Sequence, residues 1–141
     1  MTAINKRRVW IGALVGGVVW NAWSMLINIV FLAPAYAGAQ ESGLLLKTPR
    51  YGFFLPVWLV MVFALAYVVA VLYAAVRGTC GAGPKTALLV GALVGFAAGF
   101  PANFATASWS ALDRVLPTWW MLDMWVGAIL AALAAGYTYR D

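Results

Sequence analysis

Four long apolar runs dominate the chain, and they leave it one environment in which to fold. They cover residues 9–33, 51–76, 85–110 and 117–139. The first two hold no charged residue, the third none beyond Lys85 at its start, and the fourth a single acid, Asp123. About 20 apolar residues carry a helix across the hydrocarbon core of a bilayer, so each run is long enough to span it. Lipid offers no partner to backbone N–H and C=O groups, and runs this long and rich in Ala and Leu satisfy them internally as helices. The expected fold class is an all-α membrane protein, a single four-helix transmembrane domain over residues 1–141.

Composition closes off the alternatives. With 65% hydrophobic and 9% charged residues, the chain lies far below the roughly 25% charge of a soluble domain. The spans use nearly all of its 141 residues, which leaves no room for a soluble catalytic domain. The net charge of +5 does not point to nucleic acid. The basic residues are scattered at span ends, and the one cluster, Lys6-Arg7-Arg8, suits a first helix being oriented in a membrane and touching anionic headgroups. One cysteine, Cys80, and no histidine exclude an intrachain disulfide and dithiol chemistry. They also leave no Cys/His zinc site and no histidine-held haem, so no metal or cofactor is expected.

Lys6-Arg7-Arg8, an apolar run and Ala35-Tyr36-Ala37 together mimic a secretory signal with its cleavage site. A signal's apolar region is only about 7–15 residues long, so Val9 to Ala33 reads as an uncleaved first span, ended by Pro34. A polar loop follows to Arg50, and Arg77-Gly-Thr-Cys-Gly-Ala-Gly-Pro84 is a tight turn between spans two and three. Lys6, Arg7, Arg8, Arg77, Lys85 and Arg140 fall on one side of the membrane. Lys47, Arg50 and Arg114 fall on the other, offset by Glu41 and Asp113. The positive-inside rule places both termini in the cytoplasm and gathers Trp58, Trp109, Trp119 and Trp120 at the outer interface.

Ile11-Gly-Ala-Leu-Val-Gly16 returns as Val90-Gly-Ala-Leu-Val-Gly95, each at the start of a span. Pro56-Val-Trp58 and Pro117-Thr-Trp119 open spans two and four, which close on Arg77 and Arg140. Two helical hairpins related by a pseudo-twofold along the membrane normal are expected. At helical spacing, Gly17, Asn21, Ser24 and Asn28 share one arc of span one, and Gly95, Gly99, Asn103, Thr106 and Ser110 share one of span three. Gly91, Gly95 and Gly99 form overlapping GxxxG motifs. Small residues let backbones approach, and amides and hydroxyls bond across the seam. The stripes thus read either as glue between spans one and three or as a polar pocket between them. Pro101 frees the carbonyl of Ala97 beside Asn103, which makes that region the better pocket candidate.

Asp123 is the one acid well inside a span. Such a carboxylate is a candidate functional group. It lies about 9 Å in from Pro117 at helical rise, close enough to the interface for water, and Arg50 or Arg114 are its candidate partners. A structural ion pair and a ligand or proton site are both open.

Arg8-Val-Trp-Ile-Gly-Ala-Leu-Val-Gly-Gly17, Gly99-Phe-Pro-Ala-Asn103 and Gly136-Tyr-Thr-Tyr-Arg140 resemble segments of small bacterial four-span membrane proteins that carry no assigned activity. The resemblance covers most of the chain through generic packing motifs. It implies a four-helix membrane fold in a bacterial inner membrane and transfers no functional residue.

The chain is expected to be a non-catalytic accessory or structural subunit of a larger membrane complex, touching lipid and other subunits. Eight tryptophans on four spans provide broad apolar faces for such contacts. The alternative is a small homo-oligomeric transporter or channel with a polar path along spans one and three. An enzyme is not expected, because no nucleophile–base pair can be assembled from these residues.

Overall fold

The computed structural model describes residues 4–139. Among them are α1 (Lys6–Met25), a π-helical segment (Leu26–Phe31), α2 (Ala33–Glu41), α3 (Phe54–Cys80), α4 (Pro84–Trp109) and α5 (Val115–Thr138), with no strand. Four stretches of 24 to 27 residues are long and apolar enough to cross a membrane: Lys6–Phe31, α3, α4 and α5. The protein is a four-span, all-helical membrane protein.

The elements depart from the sequence reading at both ends of span one. Asn5 caps α1, its side chain accepting from the Arg8 N–H at 3.2 Å, so the basic triplet lies within the first turns. At the other end the ladder slips by one residue: the Leu32 N–H donates to the Ile27 carbonyl at 2.9 Å, five residues back. Single π-turns of this kind recur beside functional groups. Pro34 does not end helical structure but starts α2. A proline in a first turn gives up only an N–H that has no helical partner there. Part of the expected 35–50 loop is therefore a helix, and it sits over the end of the bundle.

α5 is the hub. Its inner face repeats small residues at helical spacing, and Ala128, Ala131 and Ala132 are fully buried. Gly12 and Gly16 of α1 lie against Ala135 and Ala131, where a Cβ on Gly16 would come within 2.8 Å of the Ala131 carbonyl. On α5's other flank, a Cβ on Gly91 would lie 2.6 Å from the Ile129 Cα, and one on Gly95 2.8 Å from the Trp125 Cα. The closeness exposes a helix carbonyl to a side chain, and the Trp125 Nε1–H donates to the Ala92 oxygen at 3.0 Å. Both copies of the Gly-Ala-Leu-Val-Gly repeat thus pack on the same helix. The expected seam between spans one and three is replaced by two seams, each against span four. Gly17 faces Phe63 of α3, and Trp20, fully buried, fills the space over Gly127.

The first and last described turns meet. The Asn5 N–H donates to the Tyr139 hydroxyl at 3.0 Å, and the Arg77 guanidinium lies 4.6 Å from the Tyr139 ring centroid. The turn between α3 and α4 belongs to this proximal end and is only 81–83, shorter than the expected 77–84, because the helical ladder of α3 continues through Cys80. Gly81 and Gly83 adopt φ of 86° and 141° there, a region open to glycine, and the Gly83 N–H donates to the Tyr73 hydroxyl at 3.1 Å. Arg140, expected to close span four, lies outside the described residues. α2 and the loop between α4 and α5 form the opposite, distal end.

Candidate functional site

Asp123 is 3% exposed, eight residues into α5 and on its inner face. α1 carries Ser24 to one carboxylate oxygen, and the Ser24 Oγ–H donates to Oδ1 at 2.9 Å. The π-helical segment carries Asn28 to the other, and the Asn28 Nδ2–H donates to Oδ2 at 2.9 Å. The same nitrogen donates to the Ser24 carbonyl at 2.9 Å. That bond spans the start of the π-turn and holds the amide in place.

A second tier roofs this pair. The Tyr36 hydroxyl of α2 donates to Asn28 Oδ1 at 2.7 Å and accepts from the Trp120 Nε1–H at 2.6 Å. Trp120 stands three residues before Asp123, on the same face of α5. Burial raises the Tyr36 phenol above its ordinary pKa, which keeps its proton available for Asn28. The chain Trp120–Tyr36–Asn28–Asp123–Ser24 ties α1, the π-helical segment, α2 and α5 into one network. Beneath α2, Ile27, Leu32 and Leu116 form a small apolar cluster that seats it.

Beside the network lies a cavity of about 510 Å³. Its polar wall is Asn21, Ser24, Asn28, Asp123 and, from α4, Asn103. Its apolar wall is Phe54, Leu55, Trp58 and Leu59 of α3, with Met25 and Ile29 of span one. The volume is that of a small-molecule site, and mostly apolar walls with a few convergent polar groups are usual for one.

The structure divides the residues singled out by sequence. Ser24, Asn28 and Asp123 come together directly, and Asn21 and Asn103 join them around the cavity. Asn21 and Asn103 bond not across a seam but back to their own helices, to the carbonyls of Gly17 at 2.9 Å and Gly99 at 2.7 Å. Thr106 likewise bonds back to Ala102, and Ser110 is exposed at the end of α4. Short polar side chains in helices have a carbonyl one turn back within reach, which is why a shared arc did not imply a shared seam. Gly91, Gly95 and Gly99 serve the α4–α5 contact. The expected arginine partners are replaced by neutral ones: neither Arg50 nor Arg114 pairs with Asp123, whose bonds come from Ser24 and Asn28. The groups not anticipated are Tyr36, Trp120 and the α3 wall. Trp120 could have been found from its three-residue spacing to Asp123. Tyr36 could not, because its place depends on α2 folding back.

No protein-family model matches the chain, and no curated protein or solved structure shows detectable similarity to it.

Proposed function

We propose that this is a membrane-embedded binding or carrier protein for a small, largely apolar molecule, and that the Asp123 cavity is its site. The observation behind this reading is the pairing of a buried carboxylate, held only by neutral donors, with an adjoining aromatic-walled cavity. A carboxylate in a span is costly, and where one is kept it marks a path or a ligand site by default. A purely structural role is met more cheaply by apolar packing. Membership of a larger complex as an accessory subunit rests on the exposed apolar helix faces, which lipid covers equally well. A polar path along spans one and three is less favoured, since Thr106 and Ser110 lie away from the cavity. The charge pattern supports cytoplasmic termini, and the resemblance to small bacterial four-span proteins supports a bacterial inner membrane.

The test is native mass spectrometry of protein released gently from its own membrane. A small-molecule adduct on the wild type, lost in Leu59→Trp at unchanged thermal stability, supports the reading. Stoichiometric foreign subunits with no adduct would replace it by the accessory role.

A further inference from the structure

The hydrogen atoms of the cavity's polar wall are largely committed within the chain, and its acceptors are not. Asn28 uses Nδ2 on Ser24 and Asp123, Ser24 donates to Asp123, Tyr36 to Asn28, and Trp120 to Tyr36. Asn21 and Asn103 each turn Nδ2 to a backbone carbonyl. Because a carbonyl only accepts, the oxygen of each amide is left over, together with the second N–H of its Nδ2. Asn21, 7% exposed, has an Oδ1 with no partner. Asn103 Oδ1 likewise receives no bond from a described residue. A carboxylate offers about four acceptor positions, and Asp123 has two of them filled from the chain. Two amide N–H groups set against two open carboxylate positions and two amide oxygens make the remaining capacity chiefly that of acceptors. An ammonium carries three donors and no acceptor, whereas a phosphate or carboxylate would meet oxygen lone pairs.

Charge argues the same way. A carboxylate that stays ionised when buried needs a countercharge, and no lysine or arginine among the described residues pairs with Asp123. The rings of Phe54, Trp58 and Trp120 line the cavity, and aromatic faces attract a desolvated cation. The cavity's rim differs from its floor. Met25, Ile29, Phe54 and Leu55 border it and are 39% to 62% exposed. In a spanning bundle, apolar side chains exposed this near the helix ends lie at the boundary between headgroups and acyl chains.

Resting on the ligand-site reading above, we infer that the occupant is an amphiphile with an amine head. Its N–H groups bond to Asp123 and the free amide oxygens, and its hydrocarbon tail leaves past Met25, Ile29, Phe54 and Leu55 into the bilayer.

The test uses the full chain in phosphatidylcholine nanodiscs and, as probe, dodecylamine carrying a diazirine at the tail end. Saturable photolabelling at Met25, Ile29, Phe54 or Leu55 is expected. Unlabelled dodecylamine should displace it about tenfold more effectively than dodecanol, the margin of a charge-assisted over a neutral hydrogen bond, and dodecanoate should not displace it. Asp123→Asn should erase the preference for amine over alcohol. If that variant does not fold, the competition series on the wild type decides alone. Equal displacement by dodecanol or dodecanoate would overturn the amine head while leaving the cavity as a binding site. Absence of saturable labelling, or labelling unchanged in Leu59→Trp, would overturn both.

Discussion

Ser24 and Asp123 are 99 residues apart in the chain and share a buried hydrogen bond of 2.9 Å. The bond joins the first span to the last, and the carboxylate's other oxygen takes Asn28 from the next turn. Ser24→Ala removes one donor and should cost about 0.6–2 kcal/mol, the range for interhelical bonds in bilayers. Asp123→Asn should cost about 1–3 kcal/mol, since one of two donors then faces another N–H. The double variant should lose less than the sum, because the two residues share one bond. Thermal unfolding in detergent measures all three, and strict additivity would show that the bond contributes nothing.

Tyr36→Phe keeps the ring and deletes the hydroxyl that links Asn28 to Trp120. Both are left with an unmet polar atom at the roof of the site. Opening of α2 should become easier by about 1–3 kcal/mol. Hydrogen exchange should speed up over Ala33–Glu41 and remain unchanged in α4. Unaltered exchange in α2 would mean that its apolar seat on Ile27, Leu32 and Leu116 is sufficient to hold it.

Gly91→Ala and Gly95→Ala each place a methyl group against the backbone of α5, within 2.6–2.9 Å of its atoms. A backbone cannot rotate away, so each change should destabilise the bundle by about 1–3 kcal/mol. Gly38→Ala in α2 meets nothing within 4 Å and should be neutral or stabilising by up to about 1 kcal/mol. Melting temperatures of the three variants, compared in one detergent, separate tight packing from a general sensitivity to alanine.

Cys80 is exposed at the proximal end, and Ser42 follows α2 at the distal end. With both termini cytoplasmic, an impermeant maleimide should label Ser42→Cys, in a Cys80→Ser background, on intact cells. Native Cys80 should react only after permeabilisation. The opposite pattern would invert the protein in its membrane.

The number of spans, a glycine-rich turn before Pro84 and the candidate acid were all legible in the sequence, because they depend on properties that act locally. A long uncharged run must be helical in lipid whatever surrounds it. A carboxylate inside such a run stands out by its cost alone. Glycines at four-residue spacing announce a close approach of some backbone. None of these signals names the partner. Gly16 and Gly95 could meet each other or a third helix with equal local propriety, and the alanine face of α5 drew both to span four. Asn21, Ser24 and Asn28 lie on one arc, yet Asn21 bonds to its own helix while the other two reach Asp123. That outcome was set by the π-turn at Leu26–Phe31 and by the place of α5, neither of which is encoded in a spacing. α2 likewise became a roof because Tyr36 met Trp120 across 84 residues of chain. Local chemistry determined what each segment is, and only the packing of all four spans decided which groups share the cavity.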